Sequence, residues 1–202
     1  MRVLPIVLLS ATCLLAQGTR LDEAFFNGDR TRILRTITER ARGMNSKDVK
    51  LLVEYGRAYL AALDKTKGVE MLRLAEAMES QDGMVLRSIG QAYLKAGFKS
   101  EALGAYEQIL RRDPKNSDAL GQAGIDLAEV GLASEAERYL KAFLAREPED
   151  WEHFVAFGRA FLTGGYRKQA APWFARAVAV EPDNEEVLVG ILQAFTDSQS
   201  VM

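Results

Sequence analysis

His153 is the only histidine and Cys13 the only cysteine in 202 residues. A protein metal site takes three or four ligands, usually His, thiolate or carboxylate. One histidine with no thiol beside it would need a carboxylate cluster that this sequence does not assemble. His153 instead follows Asp150 and Trp151 at a helix start, on a face read as exposed. The chain has no G-x-S-x-G, no H-E-x-x-H and no glycine-rich phosphate loop. Acidic pairs do occur, at Glu147/Glu149 and Glu185-Glu186, but they fall where helices start or end. Solvated caps account for them before acid–base catalysis does. No catalytic residue, cofactor or metal is therefore expected.

The elements that carry these residues recur. Gly56, Gly90, Gly124 and Gly158 stand 34 residues apart. Pro114, Pro148 and Pro182 keep the same step, as do Gly97, Gly131 and Gly165, and Ala102, Ala136 and Ala170. A period of this length is the signature of stacked helical hairpins. Each unit opens on a residue suited to capping a helix: Asp48, Asp82, Asn116, Asp150 or Asn184. Apolar residues then recur at helical spacing, as in Leu86, Ile89 and Tyr93 or Phe154, Phe157 and Phe161. A glycine turn follows, and Ser100 and Ser134, each followed by Glu, read as caps of the second helix. A proline closes the unit. Pro172 falls near the start of its helix, where a missing donor costs little. Glycine inside a helix costs about 1 kcal/mol relative to alanine, so the glycine column implies close helix crossings.

Charge and the N-terminus bound the setting. The formal charge is −2, and 48% of residues are apolar. That composition supports a core and argues against a nucleic-acid binder, which would be basic. Met1-Arg2, the apolar run Val3 to Ala16 and the small residues Ala16 and Gly18 read as a secretory signal over 1–18, cleaved between Ala16 and Thr19. The run is too short to span a bilayer comfortably. An uncleaved anchor and a lipid on Cys13 are the alternatives. Removal of the signal would leave a chain with no cysteine, hence no disulfide.

Leu86, Ile89-Gly90, Tyr93, Ala102, Tyr106 and Pro114 together resemble the tetratricopeptide repeat. The resemblance implies an all-α fold, a right-handed α-α superhelix or solenoid, with repeats over 49–82, 83–116, 117–150 and 151–184. Repeat 49–82 is the weakest, with Gly68 in place of the alanine and Ser80 in place of the proline. Residues 185–202 continue the phase as a capping helix and tail, and 19–48 hold a degenerate N-terminal hairpin.

In that family the first helices line a concave groove. Carried onto this chain, the groove positions include Lys50, Arg57, Arg87, Gln91, Gln122, Ile125, Val155, Arg159, Val189 and Gln193. Arginine and glutamine can hydrogen-bond an extended chain, and the apolar positions can seat side chains. These side chains are expected to leave their helices away from the packing columns. The asparagines of the family's carboxylate clamp are absent, so that activity is not carried over. The expected function is a non-enzymatic, exported scaffold, periplasmic or secreted, that holds a peptide or helix of another protein. It would bind no nucleic acid and, once the signal is removed, span no membrane. The alternative is a structural subunit that docks by its convex face or self-associates.

Overall fold

The computed structural model describes residues 49–61, 64–78 and 80–199. The expected signal (1–18), the degenerate hairpin (19–48) with the Asp48 cap, and residues 200–202 lie outside the described residues. The described part contains nine helices. They are α1 (Val49–Ala61), α2 (Lys65–Ala77), α3 (Gly83–Lys95), α4 (Lys99–Arg112), α5 (Ser117–Glu129), α6 (Ala133–Leu144), α7 (Trp151–Thr163), α8 (Arg167–Val180) and α9 (Glu185–Gln199). They pair as hairpins, α1 with α2, α3 with α4, α5 with α6 and α7 with α8. Each first helix also packs on the first helix of the next hairpin, up to α7 on α9. The result is an all-α solenoid.

Local chemistry sets the helix ends. Asp82 accepts from the N–H groups of Met84 and Val85, at 2.9 and 3.3 Å. Asn116 accepts from Ala119, Asp150 from His153 and Asn184 from Glu186. Each bond satisfies a donor that the first helical turn leaves unpaired. Gly97, Gly131 and Gly165 have positive φ angles of 85°, 80° and 85°. That conformation closes a Schellman turn. Phe98 N–H reaches back to Tyr93 C=O at 2.9 Å while Gly97 N–H meets Leu94 C=O at 3.0 Å. Leu132 and Tyr166 repeat the pattern on Leu127 and Phe161.

This turn corrects the reading of Ser100 and Ser134. The residues at the N-caps of α4 and α6 are Phe98 and Leu132, and neither makes a side-chain cap bond. The serines lie inside the first turn because the Schellman residue of one helix already serves as the start of the next. Asp64 takes the same place before α2 and caps it, accepting from Lys67 N–H at 3.1 Å. Pro172 also sits deeper than expected. It is the sixth residue of α8, and the helix continues to Val180. The proline is exposed, so the carbonyl it leaves free on that face can meet water.

The glycine column lies where the two helices of a hairpin cross. A Cβ on Gly56 would stand 2.7 Å from Leu72 Cδ2, and one on Gly90 would stand 2.7 Å from Tyr106 Cε1. On Gly124 it would run into Leu140, and on Gly158 into Phe174. Each glycine is thus a hole for one large side chain of the second helix. Ala102, Ala136 and Ala170 are buried on the opposing helices. Gly124→Leu should lower stability by about 1–3 kcal/mol or more, the usual cost of overpacking. Thermal and denaturant melts measure this, and a melt equal to that of the parent would contradict the crossing geometry.

Candidate functional site

The first helices α1, α3, α5, α7 and α9 form one continuous face, and the candidate binding residues are distributed along it. Arg57 on α1 bonds twice to α3: its Nη2 donates to Ser88 C=O at 3.3 Å and to Gln91 Oε1 at 3.2 Å. Glu54 lies 3.4 Å from its Nη1. This bridge crosses the α1–α3 groove and leaves a recess on each side. One holds about 230 Å³ among Lys50, Glu54, Met84 and Ser88. The other holds about 290 Å³ among Leu60, Ala61, Lys95 and Ala96.

Gln91 passes the chain of bonds onward. Its Nε2 donates to Asp126 Oδ1 on α5 at 3.0 Å. Arg87 grips the same carboxylate with both arms, Nε to Oδ2 and Nη2 to Oδ1, each 2.7 Å. Tyr106, on α4, donates its hydroxyl to Asp126 Oδ2 at 3.0 Å. Asp126 is only 5% exposed and the Arg87 side chain 17%. Four donors therefore converge on one buried carboxylate. A bidentate guanidinium is the strongest partner a carboxylate finds among side chains. Burial works against the Arg87 charge, but the hydrogen bonds and attraction from Asp126 outweigh it and raise its pKa. Burial, then the Asp126 charge, pushes the Tyr106 hydroxyl far above its usual range, so it stays protonated as a donor. Burial and the same charge raise the Glu129 carboxyl.

Asp126 was not among the candidate residues, yet the repeat does mark it. Its column reads Ala58, Ala92, Asp126, Ala160 and Ala194. The column of its partner reads Val53, Arg87, Gly121, Val155 and Val189. Both members depart from their columns, by opposite charges, in adjacent units.

The expected site residues thus separate. Arg57, Gln91 and Arg87 are joined in one network rather than left free for a ligand. The expectation that Arg87 leaves its helix away from the packing is corrected, because Asp126 draws the guanidinium into the seam between units. Val155 is also corrected: it is 4% exposed and lies under α9, where a Cβ on Gly190 would stand 3.0 Å from it. Lys50 is exposed and 3.9 Å from Asp82. Gln122 and Ile125 are half-buried, whereas Arg159, Val189 and Gln193 are exposed.

His153 is a packed residue, not an exposed one. Its Nδ1 is 2.8 Å from Asp150 Oδ2, and its ring lies 4.7 Å from that of Phe143. Among the described residues no three His, Cys, Asp or Glu side chains converge as metal ligands. No helix among them is long and apolar enough to cross a membrane.

Removing Arg87 should act on the fold. Arg87→Ala leaves Asp126 buried without its main counter-charge, and a loss of about 3 kcal/mol is expected. Arg87→Val with Asp126→Ala and Tyr106→Phe copies the apolar set Val155, Ala194 and Phe174 at the seam between the fourth hairpin and α9. This triple variant should recover most of the loss. Chemical denaturation of the three single variants and the triple variant checks the claim.

A tetratricopeptide-repeat family profile matches residues 30–198. No curated protein matches the chain. Among solved structures, a crystal structure of MamA protein superposes with a TM-score of 0.52 at 18% identity, covering 82% of this chain and 90% of that one. A second crystal structure of MamA gives 0.54 at 17% identity, covering 89% and 99%. At such identity the likeness concerns the fold. The family match spans most of the sequence, and with the stacked hairpins and their glycine crossings it shows that the chain belongs to the tetratricopeptide-repeat family, a family of protein–protein interaction scaffolds.

Proposed function

We propose that this protein is a non-enzymatic, exported scaffold that holds an extended or helical segment of another protein against the later half of its first-helix face. The observation that carries the reading is the unequal state of that face. Arg57, Arg87 and Gln91 are engaged with one another and with Asp126. Arg159 is exposed, and its guanidinium has no partner among the described residues. Beside it stand half-buried Ile125 and Gln122 and exposed Val189 and Gln193. A free guanidinium next to apolar and amide side chains can meet a backbone carbonyl or carboxylate while seating a side chain. Export rests on the residues 1–18 alone, with cleavage between Ala16 and Thr19.

Two experiments test this. Partner capture from envelope extract, followed by calorimetry, should show Arg159→Ala weakening binding by about 1–3 kcal/mol. That loss should shrink as salt rises. Ile125→Asp should weaken binding at every salt concentration, since it sets a charge against an apolar contact. Thermal melts of both variants separate lost binding from lost fold. If folded variants bind like the parent, this face is not the site, and docking by another surface replaces it. Mass spectrometry of the native N-terminus decides export: an intact Met1 or a lipidated Cys13 contradicts it.

A further inference from the structure

The last helix displays a packing face that nothing described covers. Leu188, Ile191, Leu192 and Phe195 on α9 stand in the register of Leu86, Ile89, Gly90 and Tyr93 on α3. In each of the four hairpins a second helix buries that face. On α9, Leu188 is 55% exposed, Leu192 67% and Phe195 39%. The helix is held from its other side through buried Val187 and Ala194, while Phe174 touches only the edge of the stripe, at Phe195. Adjacent exposed leucines at helical spacing form an apolar stripe of the kind that marks an interaction surface.

Leu192 specifies the shape of what can dock. At the matching place the four hairpins have Gly56, Gly90, Gly124 and Gly158, each filled by Leu72, Tyr106, Leu140 or Phe174 from the second helix. On α9 the arrangement is inverted: the first helix supplies the knob, so the partner must supply the hole. A helix with Ala or Gly at the centre of its apolar seam meets that demand. Charge specifies the rest. From Glu181 onward the chain carries Glu181, Asp183, Glu185, Glu186 and Asp197 and no lysine or arginine. A second copy pairing through α9 would set acid against acid, and an anionic lipid surface would be repelled.

We infer that α9 is a second docking surface, distinct from the first-helix groove, and that it receives an amphipathic helix of a partner protein with a small residue at mid-seam and Lys/Arg along its flanks. This is helix-on-helix recognition through anchors at i, i+3, i+4 and i+7, with the charges steering and orienting the approach.

The test uses the full chain and three labelled peptides of roughly 18 residues, long enough to hold a helix. One has a leucine seam with a central alanine and lysine flanks. The second keeps the seam with glutamate flanks, and the third keeps the lysines with a glutamine seam. Fluorescence anisotropy should rank the first at least about tenfold tighter than either of the others. Leu188→Asn and Leu192→Asn should each weaken it by roughly tenfold, while Val130→Asn, at an exposed apolar residue on another hairpin, should not. Leu192 is exposed, so melts should match the parent. Equal binding of the glutamate-flanked or glutamine-seamed peptide overturns the inference, as does tight binding that Leu192→Asn leaves intact. Sedimentation that shows a dimer abolished by Leu192→Asn also overturns it, because a second copy then covers the face.

Discussion

The close crossing of two helices at a glycine is the contact on which the rest of the array depends. A side chain as small as alanine at Gly90 would meet the ring of Tyr106 at 2.7 Å. The cost of glycine in a helix, about 1 kcal/mol against alanine, is offset because Tyr106, Leu140 and Phe174 each become fully or nearly fully buried in the hole it leaves. The turn between the helices must then be short and fixed. A Schellman glycine does this without a side-chain cap, and it hands Phe98, Leu132 or Tyr166 to the next helix as its N-cap residue. With the hairpin rigid, its neighbour can stack in only one register. The 34-residue period records that chain of constraints.

The Arg87–Asp126 pair breaks the pattern at one seam. The same chain contains the apolar solution to the same place, since Val155, Phe174 and, on α9, Ala194 occupy the equivalent positions. A buried ion pair is often no more stabilising than such a set. What it adds is direction. A bidentate guanidinium holds a carboxylate in one orientation, and the glutamine and tyrosine hydroxyl complete it. Apolar side chains can slide past one another at small cost, whereas four directed bonds to one buried carboxylate cannot. The seam between the second and third hairpins is therefore fixed in orientation by directed bonds, which the apolar set at the α7–α9 seam does not supply.

The repeat made most of the fold legible. Helix order, glycine crossings, capping acids and the glycine turns follow from columns in which several units agree. The sequence misleads where a residue's role depends on a neighbour in space. Ser100 and Ser134 match a cap motif, but a backbone turn had already taken the position. His153 follows a cap, and the sequence does not show that Phe143, ten residues earlier, lies beneath its ring. Arg87 reads as a groove residue by its place in the helix. Its partner Asp126 lies one position beyond Ile125 in an otherwise alanine column, and only that oddity signals a buried charge. Burial itself is not written in a single column.

These departures give the first-helix face two mechanical halves. From α1 to α5 the polar side chains are committed to each other through Arg57, Gln91, Arg87 and Asp126, so a ligand arriving there would have to break bonds already made. From α5 to α9 the face keeps Arg159, Val189 and Gln193 open to solvent. Binding costs less free energy where no internal bond is given up and the supporting backbone is already ordered. The locked half supplies that order. It fixes α5, and α5 in turn seats α7, so the open half is presented on a rigid base. On the proposed function, a network that consumes Arg57, Arg87 and Gln91 serves recognition by the others.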